Sequence, residues 1–248
     1  MLSKRANVNL CGLLVGLAVL CGCTTTVEKK EKTDTYLQLG VRYMNMNRLE
    51  LAKENLEKAI KTDSSNVQVH NALAFLYEKI EKFPLAKEHY QTALKLAPDD
   101  LGVQNNYGRF LCEHNEVSAG LSLLNKAVTN LLNDRQWMAL TNAGICQMKQ
   151  GQVSRAKAYF KQALMVNESY APALLEMQKI SYQNREYWPA KGYLQRFLAV
   201  AQHTPESLWY GMQTERALGN SGLAQEYKNL LLEKFPISNE ARKVESMQ

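Results

Sequence analysis

Residues 67–100 read VQVHNALAFLYEKIEKFPLAKEHYQTALKLAPDD. Within this stretch, small side chains stand at Ala74, Ala86 and Ala93, a large ring stands at Tyr90, and a proline follows at Pro98. The same order of small and large residues returns along the chain when other segments are aligned on Ala86. The equivalents of Ala86 are all small and lie 34, 34, 36, 34 and 34 residues apart, at Ala52, Ala86, Gly120, Ala156, Ala190 and Ala224. A fixed period of this length indicates an array of repeated supersecondary units.

This pattern resembles the tetratricopeptide repeat (TPR), whose period is 34 residues. That family has small residues at repeat positions 8, 20 and 27, a large apolar residue at position 24 and often proline at position 32. The resemblance implies an all-α fold, a right-handed TPR superhelix (an α–α solenoid) in which each repeat is two antiparallel helices. One repeat cannot bury its apolar face alone, so neighbouring repeats must stack. Six repeats are predicted over residues 33–238, at 33–66, 67–100, 101–134, 137–170, 171–204 and 205–238.

The repeat also predicts where each helix lies. The first helices of the six repeats are expected at residues 35–46, 68–80, 102–114, 137–149, 171–184 and 206–218. The second helices are expected at residues 49–61, 83–96, 117–131, 153–166, 187–200 and 221–235. Repeat six departs from the pattern, because Lys228 occupies position 24, where an apolar residue is usual.

Composition is that of an ordinary globular chain. The 248 residues are 46% hydrophobic and 22% charged, with a formal net charge of +6. These values exclude a disordered tail, a collagen and a polytopic membrane protein. The four histidines lack partners at metal-ligand spacing, and no phosphate-binding Gly-Lys-Ser/Thr motif is present. We therefore predict no enzymatic activity, no catalytic residue, no metal ligand and no cofactor, and we expect neither nucleic acid nor a small-molecule substrate as partner.

The N-terminal segment reads as an export signal. Lys4 and Arg5 precede an apolar run over residues 10–20, which is too short to span a bilayer. The following Leu20-Cys21-Gly22-Cys23 resembles a bacterial lipobox, so residues 1–22 are predicted to be a lipoprotein signal peptide. Cys23 would then carry the acyl chains, palmitate among them. Cys21 is disfavoured as the lipidated residue because Leu20 stands where a small residue is required. An ordinary signal peptide and a single N-terminal anchor helix are the alternatives.

Location follows from the same resemblance. Thr24, rather than aspartate, follows the lipidated cysteine, and by bacterial sorting rules this implies the outer membrane. The protein is therefore expected to be lipid-anchored in the outer membrane and to face the periplasm. Residues 23–32 are polar without an apolar period, which predicts a flexible lipidated tether. Residues 239–248 are interpreted as a C-terminal tail.

Two further cysteines stand out. Cys112 and Cys146 occupy positions 12 and 10 of adjacent repeats, in the last turn of each first helix. Consecutive first helices stack side by side in TPR arrays, so the two turns should be neighbours. In an oxidising compartment this predicts a Cys112–Cys146 disulfide. The alternative is a pair of small buried apolar residues.

A binding surface follows from the TPR resemblance, since first-helix positions 2, 5, 9, 12 and 13 line the concave groove in that family. The candidate partner-binding residues at such positions are Leu37, Val41, Met44, Asn71, Phe75, Asn105 and Arg109. Four of them are predicted to form an apolar patch that suits an amphipathic helix or apolar peptide: Leu37, Val41, Met44 and Phe75. Packing within the protein is the alternative role. A carboxylate clamp, the other type of TPR groove, needs several converging lysine, arginine and asparagine side chains. Asn71, Asn105 and Arg109 are too few to indicate one.

The whole chain is similar to the PilF/PilW pilotins of type IV pilus biogenesis. The similarity rests on the lipoprotein signal, on six repeats filling the chain, and on Asn105-Asn106-Tyr107-Gly108-Arg109-Phe110-Leu111-Cys112 in repeat three. It implies a non-enzymatic lipoprotein that binds the type IV pilus secretin subunit and promotes its localisation and assembly in the outer membrane. The alternatives are a TPR lipoprotein adaptor for β-barrel assembly or peptidoglycan enzymes and an inner-membrane-anchored chaperone for secreted proteins.

Overall fold

A computed structural model describes residues 11–130 and 132–246, with side chains from Thr26 onward. Within these ranges the chain forms thirteen helices and no strand. They are α1 (Cys11–Asn45), α2 (Leu49–Thr62), α3 (Val67–Lys79), α4 (Phe83–Leu96), α5 (Leu101–Glu113), α6 (Val117–Thr129), α7 (Gln136–Lys149), α8 (Val153–Val166), α9 (Ala171–Gln183), α10 (Tyr187–Leu198), α11 (Pro205–Ala217), α12 (Ser221–Lys234) and α13 (Asn239–Glu245). The predicted all-α fold is confirmed. The starts and ends of α2 to α12 fall within two residues of the prediction.

The first helix is longer than predicted. It runs without a break from Cys11, so residues 23–32, predicted to be a flexible tether, are helical. The segment contains no glycine or proline between Thr24 and Tyr36, and its lysines and glutamates favour helix. Thr33 is fully buried, and its hydroxyl donates to the Lys29 carbonyl at 2.8 Å. Polar composition alone therefore does not distinguish a charged helix from a linker in this segment. Residues 1–10 and the side chains before Thr26 are not described by the structure. The signal peptide and the lipidation of Cys23 therefore stay predictions.

The segment after repeat six is also helical. Residues 239–248 were expected to be a tail, but α13 occupies Asn239–Glu245. Ser238 caps it, with its hydroxyl accepting a hydrogen bond from the Ala241 amide at 3.1 Å. Ala241 and Val244 are buried against α11 and α12. Seven residues are too few to show a clear apolar period, which is why the pattern did not reveal this helix.

The chain divides into two compact units, with the boundary between Val103 and Gln104 inside α5. In unit 1, up to Val103, α1 packs on α2 and α3, and α3 packs on α4. Gly40, at position 8 of repeat one, lies against Leu56 at position 24, and an added Cβ on Gly40 would come within 2.6 Å of Leu56 Cγ. The small residue therefore allows the two helices of the repeat to approach closely.

Unit 2, from Gln104, is built in the same way. Helices α7 to α12 pack as consecutive antiparallel pairs, each also contacting the next. A Cβ on Gly144 would lie 2.5 Å from the ring of Phe160, which fills position 24 of that repeat. Phe160 is completely buried and joins Leu174, Met177 and Ile180 in one apolar cluster. Among the described residues, no helix combines the length and apolar character needed to cross a membrane.

A histidine pair connects the two helices of repeat two. His70 Nδ1 lies 2.9 Å from His89 Nδ1, and His70 Nε2 lies 3.1 Å from the Ser64 carbonyl oxygen. Because a carbonyl can only accept, His70 must carry its proton on Nε2. Its Nδ1 then accepts from His89 Nδ1–H. The tautomers follow from the hydrogen bonds, and the pair has no place for a proton on His70 Nδ1.

This pair should make unit 1 sensitive to pH. Burial, and then the neighbouring His70, hold the pKa of His89 below its usual value of 6.5. The unfolded chain therefore binds more protons than the folded protein as pH falls past 6.5, so the stability of unit 1 is present above that pH and declines below it. We expect the thermal midpoint, followed by circular dichroism, to be lower at pH 5 than at pH 7.5. His89→Gln should reduce this difference, and an unchanged difference would refute the role of the pair.

Candidate partner-binding surface

The predicted apolar patch comes together in unit 1. Leu37, Val41 and Met44 on α1 share one cluster with Phe75 on α3. Their spacing on α1 places them along one face of the helix, and α3 packs beside it. Met44 is only 5% exposed and serves the core, whereas Leu37, Val41 and Phe75 are half-buried. The surface that a partner could reach therefore includes only part of the predicted set.

An open groove runs along the accessible face of α1. Its volume is about 610 Å³, and most of its lining surface is apolar. We call it the α1 groove and define it by Leu37, Gln38, Val41, Arg42, Asn45 and Met46. Met46 is 54% exposed, although it follows buried Met44 by only two residues. Leu37 and Val41 were predicted from the repeat positions. Met46 was not, because it lies just after the helix, where repeat position no longer indicates which way a residue faces.

Asn71 and Phe75 lie one turn apart on α3, both half-buried. Lys79, one turn further on, places its ammonium nitrogen 5.4 Å from the centre of the Phe75 ring. This distance is within the range of a cation–π contact. The Phe75 ring thus packs against the α1 cluster and also contacts a lysine.

The two predicted residues in unit 2 are already engaged within the protein. Asn105 on α5 is 9% exposed, and its Oδ1 accepts a hydrogen bond from Asn142 Nδ2 on α7 at 2.9 Å. Arg109 pairs with Glu113 one turn away, at 2.8 Å between Nη1 and Oε2. These contacts assign Asn105 a role in joining adjacent repeats. A role for Asn105 or Arg109 in partner binding stays a prediction.

Cys112 and Cys146 also lie in unit 2, on α5 and α7. Their Sγ atoms are in bonding contact, their Cα atoms are 5.4 Å apart, and both residues are at most 2% exposed. Leu124 and Ala143 complete the small cluster around them. The stacking of adjacent first helices thus brings the two side chains together as the spacing predicted.

The polar groups of the described residues suggest no metal centre. Over residues 26–130 and 132–246, no three histidine, cysteine, aspartate or glutamate side chains converge in a way that could hold a metal ion. The α1 groove itself contains one charged side chain, Arg42, among amide and apolar groups. What this surface offers chemically is contact area for an apolar face of another protein.

Comparison with known proteins places the chain in a family. Patterns of the tetratricopeptide repeat match residues 33–66, 67–100 and 139–170. The type IV pilus assembly protein PilF of Pseudomonas aeruginosa is 30% identical over 237 residues, which cover 92% of this chain and 93% of PilF. This chain belongs to the PilF family. It is therefore a TPR protein of type IV pilus biogenesis.

Solved structures of PilF-family proteins agree with this assignment. The structure of P. aeruginosa PilF matches with a TM-score of 0.76 and 29% identity, covering 89% of this chain and 100% of that one. PilW, a widely conserved type IV pilus biogenesis factor, matches with a TM-score of 0.75 and 29% identity, covering 86% and 97%. The TPR protein YrrB, at 15% identity and a TM-score of 0.52 over 77% of this chain and 97% of its own, shares the fold alone.

Proposed function

We propose that this PilF-family protein is a pilotin: it binds the type IV pilus secretin subunit and promotes its localisation and assembly in the outer membrane. Membership of the family over nearly the whole chain supports a role in pilus assembly. The observation that carries the binding role is the α1 groove, an accessible and largely apolar surface on the first helix of the array. The protein acts by holding a partner, with no chemical step.

The α1 groove suits an amphipathic helix of the secretin subunit. Leu37 and Met46 are nine residues apart, which corresponds to about 14 Å along a helix axis. A partner helix of two to three turns would cover that length and present apolar side chains at i, i+3, i+4 and i+7. Gln38, Arg42 and Asn45 would then form the polar border of the contact. Apolar anchors inside a polar border are the usual arrangement of a binding interface.

Lipidation at Cys23 would supply the membrane address. Each buried methylene stabilises attachment by about 0.8 kcal/mol, so several acyl chains make it nearly permanent. The helical backbone of α1 joins Cys23 to the groove. The fourteen residues from Cys23 to Leu37 correspond to about 21 Å of helix. A secretin subunit bound in the α1 groove would thus be held within a short distance of the acyl chains.

Val41→Asp tests the groove. A buried carboxylate without a partner is costly, so a partner helix should bind about thirtyfold more weakly, equivalent to about 2 kcal/mol. The measurement is capture of detergent-solubilised secretin subunit by the purified full chain, with the dissociation constant from a titration. Leu85→Asp is the matched control, because Leu85 is an exposed apolar residue of α4 in the same unit and lies outside the groove. Circular dichroism checks that both variants are folded.

Equal affinity of Val41→Asp and the unchanged chain would remove the α1 groove from the proposal.

Cys23→Ser tests the role of the lipid in cells. Secretin capture should survive in vitro, whereas secretin multimers in the outer-membrane fraction should fall. Outer-membrane multimers at normal levels would overturn the role of the lipid. Recovery of barrel-assembly or peptidoglycan proteins without secretin would replace the pilotin function by one of the alternatives.

A further inference from the structure

The end of unit 2 contains a partly enclosed cavity that the proposed secretin contact does not use. It has a volume of about 280 Å³ and lies between α11, α12 and α13. Its floor is apolar and buried, formed by Met212, Ala224 and Val244. Arg216 from α11 and Lys228 from α12 line the same cavity. The site therefore combines an apolar base with two positive charges.

Lys228 is unusual for its place in the repeat. It stands four residues after the small residue Ala224. The equivalent residues of the five preceding repeats are buried apolar or aromatic side chains: Leu56, Tyr90, Leu124, Phe160 and Leu194. A lysine is rarely accommodated at such a position, because burial of an unpaired ammonium is costly. Lys228 is half-buried instead, and its side chain borders the cavity.

The cavity lies beside α13, which is a short helix. This helix begins where a seventh repeat would place its first helix, but it ends at Glu245 after seven residues. The first helices α9 and α11 each have thirteen. Among residues 26–130 and 132–246, no helix packs on α11 and α12 beyond α13, over a length of about six residues or about 9 Å of helix. A helical segment of another protein of that length would continue the stacking.

Neither of the two cations is neutralised by a carboxylate within residues 26–130 and 132–246. Neither Arg216 nor Lys228 forms an ion pair there. The adjacent carboxylate, Glu215, is 1% exposed and is already held by Lys191 Nζ at 3.0 Å and Asn220 Nδ2 at 2.6 Å. Like charges that line a partly enclosed cavity attract an ion of opposite sign more strongly than isolated surface charges do. A guanidinium is also well shaped to hold a carboxylate through two hydrogen bonds.

We infer that this cavity binds an acidic side chain presented by a short helix of a partner protein. The carboxylate of the partner's Asp or Glu lies between Arg216 and Lys228. An apolar side chain one turn away on the same helix packs on Met212 and Val244. This contact is separate from the α1 groove, since it lies in unit 2 and selects for negative charge.

The test uses fluorescein-labelled amphipathic peptides of about 14 residues with blocked ends. One peptide carries two glutamates beside leucines, and its twin carries glutamines. Fluorescence anisotropy with the purified full chain in mild detergent should show the glutamate peptide binding about tenfold more tightly, the effect of a hydrogen bond to a charged group. Added salt should reduce that preference.

Arg216→Glu/Lys228→Glu should weaken binding of the glutamate peptide by about tenfold or more. The matched control is Arg155→Glu/Lys161→Glu on α8, which changes the net charge equally at two exposed residues away from the cavity. Its affinity should stay within about twofold of the unchanged chain. If the reversed variant does not fold, Arg216→Gln/Lys228→Met removes both charges and restores an apolar residue at position 24.

Three results would overturn the inference. The first is equal affinity for the glutamate and glutamine peptides, or no binding of either up to about 1 mM. The second is an equal loss of affinity in the α8 control, which would indicate nonspecific attraction. The third comes from a glutamine peptide with a free C-terminal carboxylate. If only that peptide binds, the cavity recognises a chain terminus and not an acidic side chain.

Discussion

Reduction of the Cys112–Cys146 bond is expected to lower the free energy of unfolding of unit 2 by roughly 3–4 kcal/mol. The two cysteines are 34 residues apart, and the chain-entropy model gives this value for a closed loop of about 35 residues. The bond joins α5 to α7, the first helices of adjacent repeats. Neighbouring repeats are held mainly by their mutual interface, so a covalent link there also opposes their separation.

Urea unfolding with and without a phosphine reductant measures this effect. Cys112→Ala/Cys146→Ala is the control, because its midpoint should match that of the reduced protein and should not respond to the reductant. The same midpoint for the oxidised and reduced protein would refute the predicted stabilisation. Thiol mapping of protein taken directly from the periplasm decides the cellular state, and recovery of both thiols free would mean that the bond does not form there.

Gly120→Ala is expected to destabilise unit 2 by about 3 kcal/mol, the upper part of the range for overpacking. A Cβ added at Gly120 would lie 2.6 Å from the Gly108 carbonyl oxygen and 3.0 Å from the Cys112 amide nitrogen. Both are backbone atoms of α5, so they cannot turn away as the end of a side chain could. To relieve this steric clash, α5 and α6 would have to move apart, and the apolar contacts between them would be lost.

Gly192→Ala is the matched control for this substitution. Gly192 lies inside α10, and no heavy atom stands within 4 Å of the added Cβ. The substitution should therefore stabilise the protein by about 0.5–1 kcal/mol, since alanine favours helix over glycine. Thermal or urea unfolding of the two variants should move in opposite directions. Destabilisation of both to a similar extent would show that the close approach of α5 and α6 is not what Gly120 provides.

The positions of the helices could be predicted because the repeat pattern records a local contact. A small residue at position 8 or 20 and a large one at position 24 are needed wherever two helices approach closely. Gly40 with Leu56 and Gly144 with Phe160 satisfy this need. Each of these contacts lies within one repeat, so the residue types that make it recur along the sequence with the period of the repeat. The candidate binding face on α1 followed from the same numbering, as Leu37 and Val41 illustrate.

The remaining features depend on what each residue packs against. Met44 and Met46 are the same residue type two positions apart, yet one is 5% exposed and the other 54%. Thr33 is fully buried, although it directly follows residues 23–32, whose composition indicated a flexible tether. Likewise, Lys228 borders a cavity beside α13, a helix of seven residues. No periodic signal distinguishes these cases.

The amino-acid sequence by itself determined the repeat, the helix pairs and the face of each helix that is turned toward its neighbour. This is possible because helical periodicity and the small-to-large contacts are properties of residues close together in the chain. Only the tertiary structure decided which residues on those faces remain accessible. Exposure depends on neighbouring helices and on where the last one ends, and that information is distributed over residues far apart in the chain.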